Sequence, residues 1–305
     1  MTHTIARGIR APLALAAAFL FLGAPPLPAQ NARWQSAVDQ ATHTAPQARL
    51  LVLDIATNRI LAAHNFADAA RTLAAPGSTL KPLVLYRLLA ASRWNPHTRV
   101  ACNRDLFIAG HRLACSHPQA PPFDAREALT WSCNTYFAQV ARSLTPGELS
   151  PLLRPTGLLG PTGLAISEAT ADFREPRTIA DQQLAVLGVT GIRVSPLELA
   201  TAYRWLALEM AAHPDSVASQ IIAAGLRDSA TFGMAGEAYA GEGTIAGKTG
   251  TAEGTATSRT HGWFVGLAPA QQPRVVIAIY SPAGRGADAA TIAGVLLAHA
   301  PLEHR

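Results

Sequence analysis

Apolar and polar positions change period several times along the chain, and each change marks an element. Over residues 31–45, Trp34 and Val38 stand four apart on one face, which predicts an opening helix. Residues 49–55 and 59–64 are apolar-rich runs on either side of Ala56-Thr57-Asn58, the pattern of a hairpin. Pro76 and Gly77 punctuate the chain before a helical pattern that runs to about Ala91. The stretch 94–214 reads as helix and loop, with 124–142 and 196–210 its clearest helices. The last third changes character: 243–251, 261–267 and 274–280 read as three strands in meander order, and 286–300 closes the chain as a helix.

Strands at both ends and helices between them predict an α+β fold, with a sheet lobe over about 45–93 and 215–305 and an inserted all-helical lobe over about 94–214. Ligand sites often lie between such lobes. The first stretch is set apart from the fold. Arg7 and Arg10 form a basic start, Ala11 to Gly23 is apolar, and Pro25, Pro26 and Pro28 end any helix before the small residue Ala29. This is the pattern of a signal peptide over 1–29 or of a retained anchor, although Leu27 sits where a smaller residue is preferred for cleavage. Either reading puts residues 30–305 outside the cytoplasm, in the periplasm or on the outer face of the cytoplasmic membrane.

Composition changes this picture little. The net charge is +5, and two of those charges are Arg7 and Arg10, so the remainder is too weakly basic to suggest nucleic-acid binding. Three cysteines fit an oxidising compartment with one pair and one left over. Cys102 and Cys115 flank a second expected hairpin around Ala109-Gly110 and form a candidate disulfide, worth about 2–3 kcal/mol if closed. Cys133 reads as a buried free thiol. A metal reading with His111 and His117 fits no standard zinc spacing, so no metal and no cofactor is expected.

The chemistry lies in three short motifs: Ser78-Thr79-Leu80-Lys81, Ser132-Cys133-Asn134 and Lys248-Thr249-Gly250. Pro82 is tolerated only in a first helical turn, so Ser78 belongs near a helix N-terminus, where the dipole favours developing negative charge. Lys81, three residues on, shares its face and can take the serine proton if burial beside another cation lowers its pKa. The Ser132 hydroxyl can both accept and donate, and so pass a proton to a leaving amine. The Asn134 amide can hold both the lysine and a substrate carbonyl. On a strand, Lys248 and Thr249 face opposite sides. Thr249 and Thr251 then suit a substrate carboxylate, Lys248 leans toward Ser132, and Gly250 leaves room along the edge. The backbone N–H groups of Ser78 and Thr251 make a candidate oxyanion hole. Only two of the 25 basic residues are lysine, and they are Lys81 and Lys248. Arginine cannot serve as the base, because it does not lose its proton.

The stretch from Ala75 to Pro82 resembles the nucleophile motif of penicillin-binding transpeptidase domains. Residues 132–137 resemble their second motif, and 248–252 their third. Val194-Ser195-Pro196-Leu197-Glu198-Leu199-Ala200 and His261-Gly262-Trp263-Phe264-Val265-Gly266 extend the likeness over most of 45–300, in family order. The resemblance implies an antiparallel sheet flanked by helices. It implies acylation of Ser78 by the D-alanyl-D-alanine end of peptidoglycan stem peptides, with transfer to an amine or to water. It also implies inhibition by β-lactams, and it names no protein partner. Residues 30–45 are too few for the N-terminal pedestal of larger members, so a free-standing enzyme is as well supported as a wall-building subunit. Two rivals remain. A serine β-lactamase needs a water-activating carboxylate, for which Glu168 and Glu175 are in the right region but without the expected pattern. A non-catalytic penicillin sensor or scaffold would not need Ser78, Lys81, Ser132, Asn134 and Lys248 intact.

Overall fold

A computed structural model of the chain describes residues 29–253 and 260–302, together with Met1. The expected signal sequence lies outside the described residues except at its ends, and Ala29 opens the first helix. The chain forms α1 (Ala29–Thr42), β1 (Arg49–Asp54), β2 (Ile60–His64), α2 (Phe66–Arg71) and α3 (Lys81–Ala90). A small hairpin follows, β3 (Asp105–Ile108) and β4 (His111–Ala114). Next come α4 (Ala125–Thr130), α5 (Asn134–Ala141), α6 (Leu149–Leu153), β5 (Asp172–Phe173), α7 (Ile179–Val186), β6 (Ile192–Arg193), α8 (Pro196–Ala212) and α9 (Val217–Thr231). The last elements are β7 (Ala246–Glu253), β8 (Thr260–Ala268), β9 (Val275–Ser281) and α10 (Gly286–His299).

The main sheet has the order β2-β1-β9-β8-β7, antiparallel throughout, so β7 is an edge strand. Both faces of this sheet are covered, and the pleat divides the apolar residues between them. Leu50, Val52, Phe264, Ile277 and Ile279 pack on one side with Trp34, Val38, Ala289, Ala293 and Leu296 from α1 and α10. Leu51, Leu53, Trp263, Val265, Val276 and Ala278 pack on the other side with Leu83, Leu85, Leu199 and Leu206 from α3 and α8. Two buried faces explain why the strands read as nearly continuous apolar runs rather than as an alternation.

The helix starts follow local chemistry. Asp124–Glu127, Thr178–Asp181 and Ser195–Glu198 are reciprocal capping boxes at α4, α7 and α8. Pro196 occupies the first turn of α8, so part of the stretch 194–200 is a helix-start signal in its own right. One expected helix is divided. Residues 124–142 form α4 and α5, because Ser132 takes a left-handed φ of 55°. The N–H groups of Ser132 and Cys133 turn back to the carbonyls of Leu129 and Ala128, at 3.3 and 3.0 Å. This is a Schellman ending with serine where glycine is usual. Helix α9, which the sequence reading did not separate out, packs against α3, α4 and β7.

Close backbone approach fixes β8 against the start of α10: a Cβ on Gly262 would lie 2.0 Å from the Arg285 carbonyl oxygen. Gly262→Ala is therefore expected to destabilise the chain by about 3 kcal/mol, the upper end for overpacking. Urea unfolding should show this as a lower midpoint at unchanged slope.

Candidate active site

Ser78 lies on a 3₁₀ turn, Gly77–Leu80, that runs straight into α3. The sequence pattern puts the helix start at Ser78, whereas α3 begins at Lys81. Pro82 explains the difference. It has no N–H to reach the Ser78 carbonyl, which accepts the Lys81 N–H three residues on instead. The turn is held from several sides. Gly77 N–H donates to the Gly188 carbonyl at 2.9 Å. The Ala75 carbonyl accepts from Trp263 Nε1 and lies the same 2.9 Å from His261 Nε2. Tyr203 Oη donates to the Thr79 carbonyl at 2.8 Å. Gly77 has a φ of 53°, and a Cβ on it would lie 2.7 and 2.9 Å from the O and N of Thr251. A Cβ on Gly250 would lie 2.5 Å from the Pro76 carbonyl oxygen. Glycine at both positions lets the turn that bears Ser78 sit directly on the edge of β7, with Gly77 against the Thr251 backbone. Ser78 is half-buried and Thr251 is exposed, so the cleft between them opens to solvent.

Lys81 is fully buried at the start of α3. Its Nζ donates to Asn134 Oδ1 at 2.7 Å, to the Ser132 carbonyl at 2.8 Å and to Ser132 Oγ at 3.3 Å. Lys248 is also fully buried, and its Nζ reaches Ser132 Oγ at 2.8 Å and the Thr249 carbonyl at 3.0 Å. Neither ammonium hydrogen-bonds a carboxylate among the described residues. Burial therefore lowers the Lys81 pKa to about 8, against a smaller upward pull from the nearby cysteine sulfurs. Burial, with Lys81 as a second cause, holds Lys248 well below the ordinary lysine range. The motifs thus converge on one hydroxyl, Ser132 Oγ, between two amines able to be neutral near physiological pH.

Some expected contacts are differently arranged. The Asn134 amide nitrogen donates to the Leu113 and Ala114 carbonyls of β4, at 3.2 and 3.4 Å. Thr249 Oγ1 donates to the Met234 carbonyl at 3.2 Å, whereas Thr251 Oγ1 accepts the Gly286 N–H at 2.9 Å. Thr251 therefore keeps its hydroxyl proton for a ligand, and of the two threonines it is the exposed one. Glu168 accepts from Thr162 and Gly163, and Glu175 accepts two N–H groups at the start of α6. Both carboxylates are tied up in local structure.

The expected Cys102–Cys115 disulfide is not formed: Cys102, Cys115 and Cys133 are all free. Folding gives Cys115 other partners. Its Sγ accepts the Asn134 N–H at 3.2 Å, and Cys102 Sγ lies 3.3 Å from His117 Nε2. Hydrogen bonding from Cys133 lowers the Cys115 pKa, and Cys133 is itself raised by the same contact. Folding also gathers a group of side chains that the sequence pattern does not bring together. Cys102, Cys115, His117 and Cys133 gather beside the Ser132–Asn134 segment, and their ligand atoms lie within 4.8 Å of one another. Linear spacing hid this group because its fourth member comes from a different element. Also missed by the sequence reading were Gly188 and Tyr203, which hold the Ser78 turn and carry no local motif.

Fold and site together define a class: serine acyltransferases that set a serine–lysine turn against the edge of an antiparallel sheet. The model of the penicillin binding protein transpeptidase domain matches residues 49–298, and the chain belongs to that family. Solved structures share the fold. The apo transpeptidase domain of Burkholderia pseudomallei penicillin-binding protein 3 matches at TM-score 0.76 and 20% identity, covering 89% of this chain and 93% of that one. A peptidoglycan glycosyltransferase from Burkholderia ambifaria matches at TM-score 0.75 and 20% identity, over 88% of this chain and 94% of that one. Pseudomonas aeruginosa PBP2, solved in complex with WCK 5153, matches at TM-score 0.73 and 19% identity, over 87% of this chain and 76% of that one.

With only two lysines in the chain, selective ¹³C labelling at lysine Cε should give two resolvable signals. The Lys81 signal is expected to titrate near 8 and that of Lys248 well below the usual lysine range. Titration of both near the value for free lysine would contradict the burial of the two amines.

Proposed function

We propose that the chain is a D,D-acyltransferase of peptidoglycan, with Ser78 as nucleophile and Lys81 as its base. The observation that carries this reading is the placing of the Ser132 hydroxyl between two buried lysines, beside the turn that bears Ser78. Neutral Lys81 takes the Ser78 proton as Oγ attacks the carbonyl between the two D-alanines of a stem peptide. The backbone N–H groups of Ser78 and Thr251 receive the oxyanion. The proton then passes through Ser132 to the departing D-alanine amine. Lys248 Nζ holds that hydroxyl in place by its hydrogen bond, and the Thr251 hydroxyl takes the substrate carboxylate. An amine or a water then accepts the acyl group from Ser78, giving a cross-link or a trimmed peptide. Penicillins present a strained amide in place of that peptide bond and leave Ser78 acylated. The basic-then-apolar start of the chain supports export, with the substrate met outside the cytoplasm.

Intact mass spectrometry after benzylpenicillin treatment should show one stable adduct on the wild type and none on Ser78→Ala. A rapidly lost adduct would instead mean β-lactamase turnover. Lys81→Arg keeps the charge but removes the base, and should slow acylation by about 10²–10⁴-fold. The wild-type rate should rise with pH as Lys81 loses its proton, with its midpoint near 8. A rate that falls across that range would exclude Lys81 as base.

A further inference from the structure

We propose that Cys102, Cys115, His117 and Cys133 bind one zinc ion, and that this closed site pins the Ser132–Asn134 segment to the β3–β4 hairpin. Three features of the cluster point to a metal rather than to packing. The first is the donor set. Three thiols and one imidazole supply four ligand atoms, all within 4.8 Å of one another, and all but Cys102 come from buried residues. A tetrahedral zinc with Zn–S of about 2.3 Å and Zn–N of about 2.0–2.1 Å spaces its ligand atoms by about 3.5–3.8 Å. The 3.3 Å between Cys102 Sγ and His117 Nε2 is already close to such an edge.

The second feature is the orientation of the histidine. His117 Nδ1 lies 2.7 Å from the Pro118 carbonyl, to which only an N–H can donate. That contact fixes the tautomer, leaving the Nε2 lone pair directed at the sulfurs. Metal-bound histidines are held by a backbone or carboxylate acceptor in this way. Phe123 packs edge-on against the same ring, with centroids 4.9 Å apart. The third feature is outer support for a sulfur. The Asn134 N–H points at Cys115 Sγ, and Arg104 donates to the His117 carbonyl at 2.6 Å.

Softness selects the metal. Thiolates with one imidazole suit zinc, whereas calcium and magnesium require oxygen ligands. Four protein ligands leave no position open, so the site is structural and not a source of activated water. Cys102, Cys115 and His117 come from the hairpin and its flanks. Cys133 is the residue between Ser132 and Asn134. A metal bridging them would tie the two residues that hold Lys81 to a second element.

The metal site does not depend on the acyltransferase reading, because its primary measurements involve no turnover. The full chain, purified without chelator, should carry one zinc per molecule by elemental analysis. Its three thiols should resist a thiol reagent until the zinc is removed. Cobalt(II) added to the metal-free chain should give the strong visible bands of a tetrahedral site and a thiolate charge-transfer band. His117→Ala, which leaves every cysteine in place, should weaken zinc binding by more than about 10-fold. A chain that takes up neither zinc nor cobalt, gives only octahedral cobalt bands, or loses a pair of hydrogens to a disulfide would overturn the proposal. Pinning is read separately, as a benzylpenicillin acylation rate that falls at least about 10-fold on zinc removal and returns on zinc addition. Zinc uptake with an unchanged rate would leave the site standing and overturn the pinning.

Discussion

Two amines share one cleft, and the rest of the site follows from how they do so. Lys81 and Lys248 arrive from a helix start and an edge strand, and both reach the hydroxyl of Ser132. Two full ammonium charges this close in a dry interior would repel strongly, and among the described residues no carboxylate hydrogen-bonds either one to offset this. The least costly resolution is for protons to leave, which turns a lysine into a usable base at ordinary pH. Stability and reactivity thus have the same cause. A carboxylate partner would make the core more comfortable, but would restore the charge that disqualifies lysine as a proton acceptor.

Such a site needs its backbone held closely, and the chain does this with glycine. Gly77, Gly188 and Gly250 each allow one backbone to touch another where a Cβ would come within 3 Å of a backbone oxygen. The contacts run from Gly188 to the Ser78 turn and from that turn to the edge of β7. Strand β7 is itself backed by α10, where a Cβ on Gly286 would lie 2.8 Å from the Gly250 carbonyl. Ser78 is therefore located by stacked main chain, which has few soft torsions, rather than by long side chains. His261 and Trp263 add side-chain contacts from β8 to the Ala75 carbonyl.

The sequence carried the fold and the three motifs for physical reasons that stay local. Hairpin turns, helix periodicity and the meander strands are set by neighbours a few residues apart, so 49–64, the helix over 196–210 and the last four elements were legible. Ser78 and Lys81 are one turn apart and could be paired by spacing alone. What failed was long-range or unconventional. The break between α4 and α5 was hidden because serine, not glycine, takes the left-handed position. The disulfide pairing assumed that the two cysteines nearest in sequence would choose each other. Folding instead brought in Cys133 and His117, and a hydrogen bond from Asn134 to Cys115. Gly188 and Tyr203 act through backbone contacts more than 100 residues from Ser78 and leave no local trace.

Ser132 shows why a strained residue persists here. A left-handed serine costs about 1–2 kcal/mol, which a glycine would avoid. Glycine would also remove the hydroxyl that receives both lysines. Each buried hydrogen bond is worth about 0.5–1.5 kcal/mol net, and an unmet buried donor costs about 1–3 kcal/mol. Lys81 and Lys248 both donate to Oγ, and Lys81 also donates to the Ser132 carbonyl. The sum of these exceeds the strain, so the unfavourable φ is the smaller term. That φ also ends α4 just before Cys133 and starts α5 at Asn134. One torsion thereby aims the hydroxyl at the lysines, the amide oxygen at Lys81, and the intervening sulfur away from the cleft toward its cluster. Changing any of the three side chains alters what holds the other two.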